Sequence, residues 1–338
     1  MPKQQNRLAN KLSWLIPLIA ALLLAGSACH LVHKPVEVEK LLTPLADADT
    51  PRLVNLVNGF VKARSIRGKI DIQFEDTSFA TSGIAEKYRT ADGSIILQRP
   101  GKVYLIVQGP LAIDIAQMTS DGEHFRIAIL KGEDKYRRFV RGTNAAVYSE
   151  LDGSNADSPK GKPNTDAQTV KALSNLRPQH LTEALLIRPI DEHANGIMYA
   201  RSEFFQSEKD SKSQKRVVRG YYLLDELQAG TDGIARLLRR FWFDRVNGIR
   251  FARLQTFNQD GALITDVTYN EFKRFGTEGE VVLPSKISIT RPQDHYQLTI
   301  TYQSPESVVL DHDYPPDVFV LENKWGLGEV DLDSPKKP

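Results

Sequence analysis

The residues best suited to chemistry fall in short polar clusters. Asp311-His312-Asp313 joins two carboxylates to an imidazole, the set of a metal site or an acid–base pair, and Asp191-Glu192-His193 repeats it. Neighbours in an extended segment point to opposite faces, so such runs do not converge on one ion. Tyr314-Pro315-Pro316 follows the first cluster and Asn195-Gly196 the second, and both read as polar turns. His30 and His33 lie beside Pro35 in a stretch that lacks the fixed geometry a metal requires. Gly-x-Ser-x-Gly, His-Glu-x-x-His, the phosphate-binding Gly-rich loop and the dinucleotide fingerprint are all missing from the sequence. No catalytic residue, metal site or cofactor is expected. A hydrolase has only unassigned carboxylates and histidines in its favour.

The single cysteine is more informative. Lys3, Arg7 and Lys11 precede an uncharged stretch from Leu12 to Ala28, whose apolar part Trp14–Ala25 is shorter than the roughly 20 residues a bilayer span needs. With Gly26-Ser27-Ala28 after it, residues 1–28 read as a secretory signal peptide. Cys29 follows directly, as the acylated cysteine does in bacterial lipoproteins. Gly26 departs from the leucine that pattern prefers, so a soluble exported protein with a free thiol is the alternative. At about 0.8 kcal/mol per buried CH₂, two or three acyl chains at Cys29 would anchor the chain permanently.

The elements that must position any site are mostly strands. The composition, 41% hydrophobic and 25% charged over 338 residues, is that of a globular protein. Without the leader the chain carries one more acid than base, so no nucleic-acid partner is expected. Residues 29–49 read as the lipidated cysteine and a tether reaching about 25 Å. Thr50-Pro51 opens an amphipathic helix over 51–64, with Leu53, Val54, Leu56, Val57, Phe60 and Val61 at helical spacing.

From Gly68 the period changes to two. Ile70, Ile72 and Phe74 alternate with charged and polar residues, and near the other end Tyr296, Leu298, Ile300 and Tyr302 do the same. Between them lie strand-like runs at 83–98, 102–108, 112–119, 123–130, 135–141, 196–206, 215–226, 236–245, 249–258, 262–272 and 285–291, with glycines such as Gly93, Gly101 and Gly122 read as turns. The expected fold is mainly β, a sequential antiparallel meander in one domain over 50–325 with a tail at 326–338. Polar insertions fall at 149–166 and 207–215, and two short helices split at Arg177-Pro178 occupy 167–187, with Leu181, Leu185 and Leu186 on an apolar face.

Two segments carry a resemblance. Gly93–Pro100 is a strand ending in Arg99-Pro100, and Thr119-Ser120-Asp121-Gly122 is a turn before the apolar strand Phe125–Leu130. With the preceding helix and a loose match at Tyr314–Phe319, this resembles the bacterial lipoprotein-carrier superfamily of LolA and LolB, whose end strand contains Pro and Phe. The resemblance implies an incomplete β-barrel, a curved antiparallel sheet with helices covering its concave face and acyl chains binding between. It implies that Arg99 holds the lid and acts in cargo release; the alternative is a strand-end arginine reaching solvent or a lid carbonyl.

On this reading the chain is a membrane-anchored protein of the bacterial envelope. Its anchor sits on the periplasmic face of the outer membrane, and it binds lipid acyl chains or lipoproteins for localisation or transfer. Ile70, Ile72, Phe74, Leu298, Ile300 and Tyr302 are the candidate cavity wall, with plain core packing as the alternative. Leu181, Leu185 and Leu186 are the lid candidates. A second reading keeps the fold but makes the chain an anchored scaffold or envelope-stress sensor with a protein partner, because its loops exceed what a carrier needs.

Overall fold

The structure, a computed structural model, describes residues 38–77, 86–87, 90–132, 134, 137–144, 146, 177–210, 213–230, 233–276 and 281–334. Cys29, the insertion at 149–166 and the first of the two expected short helices lie outside the described residues.

Helix α1 (Thr50–Phe60) begins one residue earlier than Thr50-Pro51 suggested. Asp49 is its N-cap, accepting a hydrogen bond from Arg52 N at 3.0 Å, and Pro51 sits inside the first turn, where its missing N–H costs nothing. The helix stops four residues short of the expected end, and Leu53, Val54 and Val57 form its buried stripe. The expected tether is docked from Leu42 onward. Leu42 N and Ala46 N donate to the carbonyls of Val218 and Arg245, and Asp47 accepts from Arg245 at 2.8 Å and from the Tyr222 hydroxyl at 3.0 Å.

One large, curved and unclosed sheet follows. Its first arc is the meander β1 (Ser65–Asp76), β2 (Ala91–Gln98), β3 (Lys102–Gln108), β4 (Asp114–Ser120), β5 (His124–Ile129) and β6 (Arg138–Thr143). Helix α2 (Pro178–Leu185) comes next. The second arc is β7 (Ile197–Lys209), β8 (Arg216–Ala229), β9 (Ala235–Asp244), β10 (Arg250–Phe257), β11 (Leu263–Phe275), β12 (Val281–Arg291) and β13 (Tyr296–Tyr302). Sequential antiparallel pairing runs through each arc, and β13 pairs antiparallel with β1 to join them. Register shifts at Val107/Gln108, Glu226/Leu227, Trp242/Phe243 and Thr256/Phe257 add local twist to the ladder.

The C-terminal end departs from the sequence expectation. Tyr314–Phe319 is not an end strand: Pro315 and Pro316 lack the N–H a ladder needs, and Pro316–Phe319 forms a 3₁₀ turn that buries Phe319 completely. The chain then covers the outer face of the first arc, where Leu321 and Leu327 pack with Ala128 and Phe139 in a small second core. Within the expected tail, β14 (Gly328–Asp331) adds to the free side of β6 in parallel.

Gly93 is not a turn residue either. It lies inside β2, where an added Cβ would sit 2.6 Å from the Ile106 carbonyl oxygen and 3.1 Å from Ile72. Gly93→Ala is therefore expected to destabilise by about 1–3 kcal/mol through overpacking. Gly59 in α1 has open space around its Cα, and Gly59→Ala should stabilise by about 0.5–1 kcal/mol. Thermal unfolding of the two variants checks the opposite signs.

Candidate functional site: a clasped helix over the apolar face

The candidate wall residues form three successive cross-strand pairs between β1 and β13: Phe74 with Leu298, Ile72 with Ile300, and Ile70 with Tyr302. Their side chains share the concave face, because residues two apart along a strand point the same way. All but the half-buried Phe74 are buried, in a continuous core that also takes in Leu53, Val57, Leu181 and Leu186.

Helix α2 lies on this face. Pro178 fixes its first turn, and Leu181 and Ala184 are fully buried beneath it. The space left under the helix is small. A cavity of about 30 Å³ lies there, lined by Phe60, Ala184, Leu185, Ile187, Tyr269 and Tyr302 among others. Of the six wall candidates only Tyr302 reaches it.

What holds α2 down is polar and specific. Arg99, at the end of β2, donates from Nη1 to the carbonyls of Leu186 (3.2 Å) and Ile187 (3.1 Å), and from Nε to Ala63 (3.0 Å) just beyond α1. One guanidinium thus ties both helical segments to the sheet, using the fork geometry that lysine lacks. Burial lowers the Arg99 pKa from its ordinary value. A guanidinium stays charged regardless.

Further along, Arg239 on β9 donates to the carbonyls of Arg188 (2.9 Å) and Pro189 (3.3 Å). Its Nε is held at 2.9 Å by Glu226 on β8, and the pair is almost wholly buried. The Tyr199 hydroxyl donates to Glu226 at 2.8 Å; burial and this bond push its pKa up. Asn58 on α1 closes the sequence of contacts reciprocally, donating to the Ile190 carbonyl at 3.1 Å and accepting from Ile190 N at 2.8 Å.

Two tyrosines fasten the helix itself. The Tyr269 hydroxyl donates to the Ala184 carbonyl at 2.9 Å, satisfying one of the free carbonyls at a helix C-terminus. The Tyr296 hydroxyl lies 2.6 Å from His180 Nδ1, and its ring stacks on Phe74 at 5.4 Å. Burial raises the pKa of Tyr269, Tyr296 and Tyr302, so all three are neutral hydroxyls.

Burial above all, then the charges of Arg291 and Arg177, hold His180 well below its ordinary pKa of 6.5. A histidine buried neutral loses stability on acidification: below about pH 6.5 the unfolded chain takes up a proton that the folded chain refuses until the lower native pKa. Thermal stability should therefore fall as pH drops through 6.5 and below, and less steeply in His180→Gln. Melting curves across that window, in parent and variant, measure the difference.

The polar clusters of the sequence are structural. The Asp311 carboxylate accepts from Arg64 N at 2.7 Å, and the His312 carbonyl accepts from the Ser65 hydroxyl at 2.5 Å, fixing the entry to β1. Asp191 accepts from His193 N in an exposed turn. Among the described residues no group of three or more His, Cys, Asp and Glu could hold a metal, and no helix is long and apolar enough to cross a membrane. Ser120-Asp121-Gly122 is a turn: Asp121 accepts from the amides of Glu123 and His124, and Gly122 has φ +108°.

Sequence reasoning singled out Arg99, placed Tyr296 on the inward face of its strand, and did not single out Arg239, Glu226 or His180. A signal existed for the buried pair. Glu226 continues the inward-facing positions of Tyr222 and Leu224, and Arg239 those of Phe241 and Phe243, so two charges stand where alternation calls for apolar side chains.

No family model and no curated protein matches the chain. Solved structures do. A LolA superfamily protein from Nitrosomonas europaea aligns over 81% of this chain and 99% of its own, at 11% identity and a TM-score of 0.42. A DUF1329 family protein from Desulfovibrio piger aligns over 80% and 95%, at 9% identity and 0.39. A candidate outer membrane lipoprotein-sorting protein domain from Vibrio parahaemolyticus aligns over 79% and 94%, at 10% identity and 0.38. Identities of 9–11% do not fix a shared activity.

Proposed function

We propose that the chain is a lipid-handling protein of the bacterial envelope, without catalytic activity, that takes acyl chains between its concave sheet face and α2. The observation that carries this reading is Arg99. A single cation on the sheet bonds three carbonyls that belong to the segments covering an apolar face, which is the geometry of a latch.

The energetics suit reversible loading. Each buried CH₂ is worth about 0.8 kcal/mol, so a 16-carbon chain gains about 10 kcal/mol on leaving water. Opening spends part of that gain on the α2 contacts, leaving a modest net affinity from which cargo can be released. Ile70, Ile72, Phe74, Leu298, Ile300 and Tyr302 form the wall exposed when α2 lifts, and Leu181, Leu185 and Leu186 are the lid's apolar side. Acylation of Cys29 would place the site at a membrane surface, the periplasmic face of the outer membrane on the sequence reading.

Binding of the fluorescent fatty acid cis-parinaric acid tests the proposal. Emission should rise on mixing, and hydrogen exchange over residues 178–190 should quicken while the strands stay protected. Phe74→Glu, at a half-buried position, should abolish the signal with the fold kept. An unchanged signal in Phe74→Glu, or no binding by the parent, means that the wall is plain core and favours the scaffold or sensor reading.

A further inference from the structure

β7 ends the second arc, and among the described residues its one ladder is the antiparallel pairing with β8. Native sheets protect such edges with short strands, proline, bulges or lysine. β7 has almost none of these. It runs 13 residues without Pro or Gly, its register with β8 is unbroken from Ile197 to Lys209, and its only lysine is the last residue. Its one other cation, Arg201, stays exposed while it donates to the Ala48 carbonyl and lies over the Tyr222 ring. Met198, Phe204 and Phe205 are 49%, 41% and 48% exposed on this edge. The opposite edge of the sheet, β14, has four residues.

We propose that β7 pairs antiparallel with β7 of a second copy of this chain, about a two-fold axis through Ser202. The sequence selects this register. With Ser202 on the axis, Arg201 faces Glu203 of the second copy, Tyr199 faces its Phe205, and Ala200 its Phe204, each contact occurring twice. Moving the axis one residue either way sets Arg201 opposite Arg201 or Glu203 opposite Glu203, and like charges directly opposite are unfavourable. An isologous pairing closes on itself, so it consumes the exposed edge without starting a filament. Glu203 already bonds Arg245 at 2.6 Å, so the contact extends an ion pair held in place by each copy.

Cysteine cross-linking tests register and partner together. In a chain carrying Cys29→Ser, which removes its only thiol, Ser202→Cys should form a covalent dimer under mild oxidation, because directly paired residues lie about 4.5–5.5 Å apart. Gln206→Cys should not, since its copies would be eight residues apart along the strands, about 27 Å. Sedimentation velocity of the parent should show a dimer at micromolar concentration. Phe205→Lys should raise its dissociation constant at least tenfold with circular dichroism unchanged. A monomeric parent, equal cross-linking at 202 and 206, or a dimer indifferent to Phe205→Lys would each overturn the proposal. None of these results depends on whether lipid binds.

Discussion

Arg99→Met will bind cis-parinaric acid more tightly than the parent, by about 30-fold. The arginine's two hydrogen bonds to Leu186 and Ile187 form only while α2 is down, so losing them penalises the closed form and leaves the open form alone. Hydrogen bonds to charged groups contribute about 1.5–3 kcal/mol each. Two that share one Nη1 and exchange for water on opening are worth about 2 kcal/mol together, which is the 30-fold. A ligand that needs the open form gains what the closed form loses. Hydrogen exchange over residues 178–190 will quicken in the empty variant, and the strands will stay protected. Arg99→Lys will recover a minor part of the difference, because an ammonium cannot span the same three carbonyls. Weaker binding in Arg99→Met would make the arginine part of the wall and not a latch.

The largest effect on stability will come from Glu226→Leu. Its carboxylate and the Arg239 guanidinium are both about 7% exposed, and removing one partner leaves a buried charge unpaired. Breaking such a pair costs about 3–5 kcal/mol. In a domain of this size that lowers the melting temperature by about 5–9 °C. Arg239 also carries the carbonyls of Arg188 and Pro189, so the loss will loosen the segment after α2. The double variant Glu226→Leu/Arg239→Met will melt above the single one, since no charge is stranded. A double variant as unstable as Glu226→Leu would mean that packing around the pair, and not the charge, governs stability.

The two arcs were legible because period two is a strong signal wherever one sheet face is wet. Ile70-Asp71-Ile72-Gln73-Phe74 and Leu298-Thr299-Ile300-Thr301-Tyr302 stand out at opposite ends of the chain, and they are neighbours in space. Arg99 was legible only through resemblance; nothing in its spacing says that it meets Leu186 and Ile187. The rest of the clasp joins side chains to backbone carbonyls 50 or more residues away, as from Arg239 to Pro189 and from Asn58 to Ile190, and periodicity does not encode such contacts. The covering of the outer face by Leu321 and Leu327 was hidden for a related reason. Residues 316–331 carry no repeat, and their apolar side chains fit a surface built by distant strands.

Native mass spectrometry of the chain carrying Cys29→Ser, purified from a bacterial periplasm, tests most directly whether acyl chains enter between the sheet and α2. The predicted spectrum shows co-purified phospholipid or acylated peptide, at higher occupancy in Arg99→Met and absent in Phe74→Glu. A folded parent and a folded Arg99→Met that both remain lipid-free after incubation with liposomes would contradict the account.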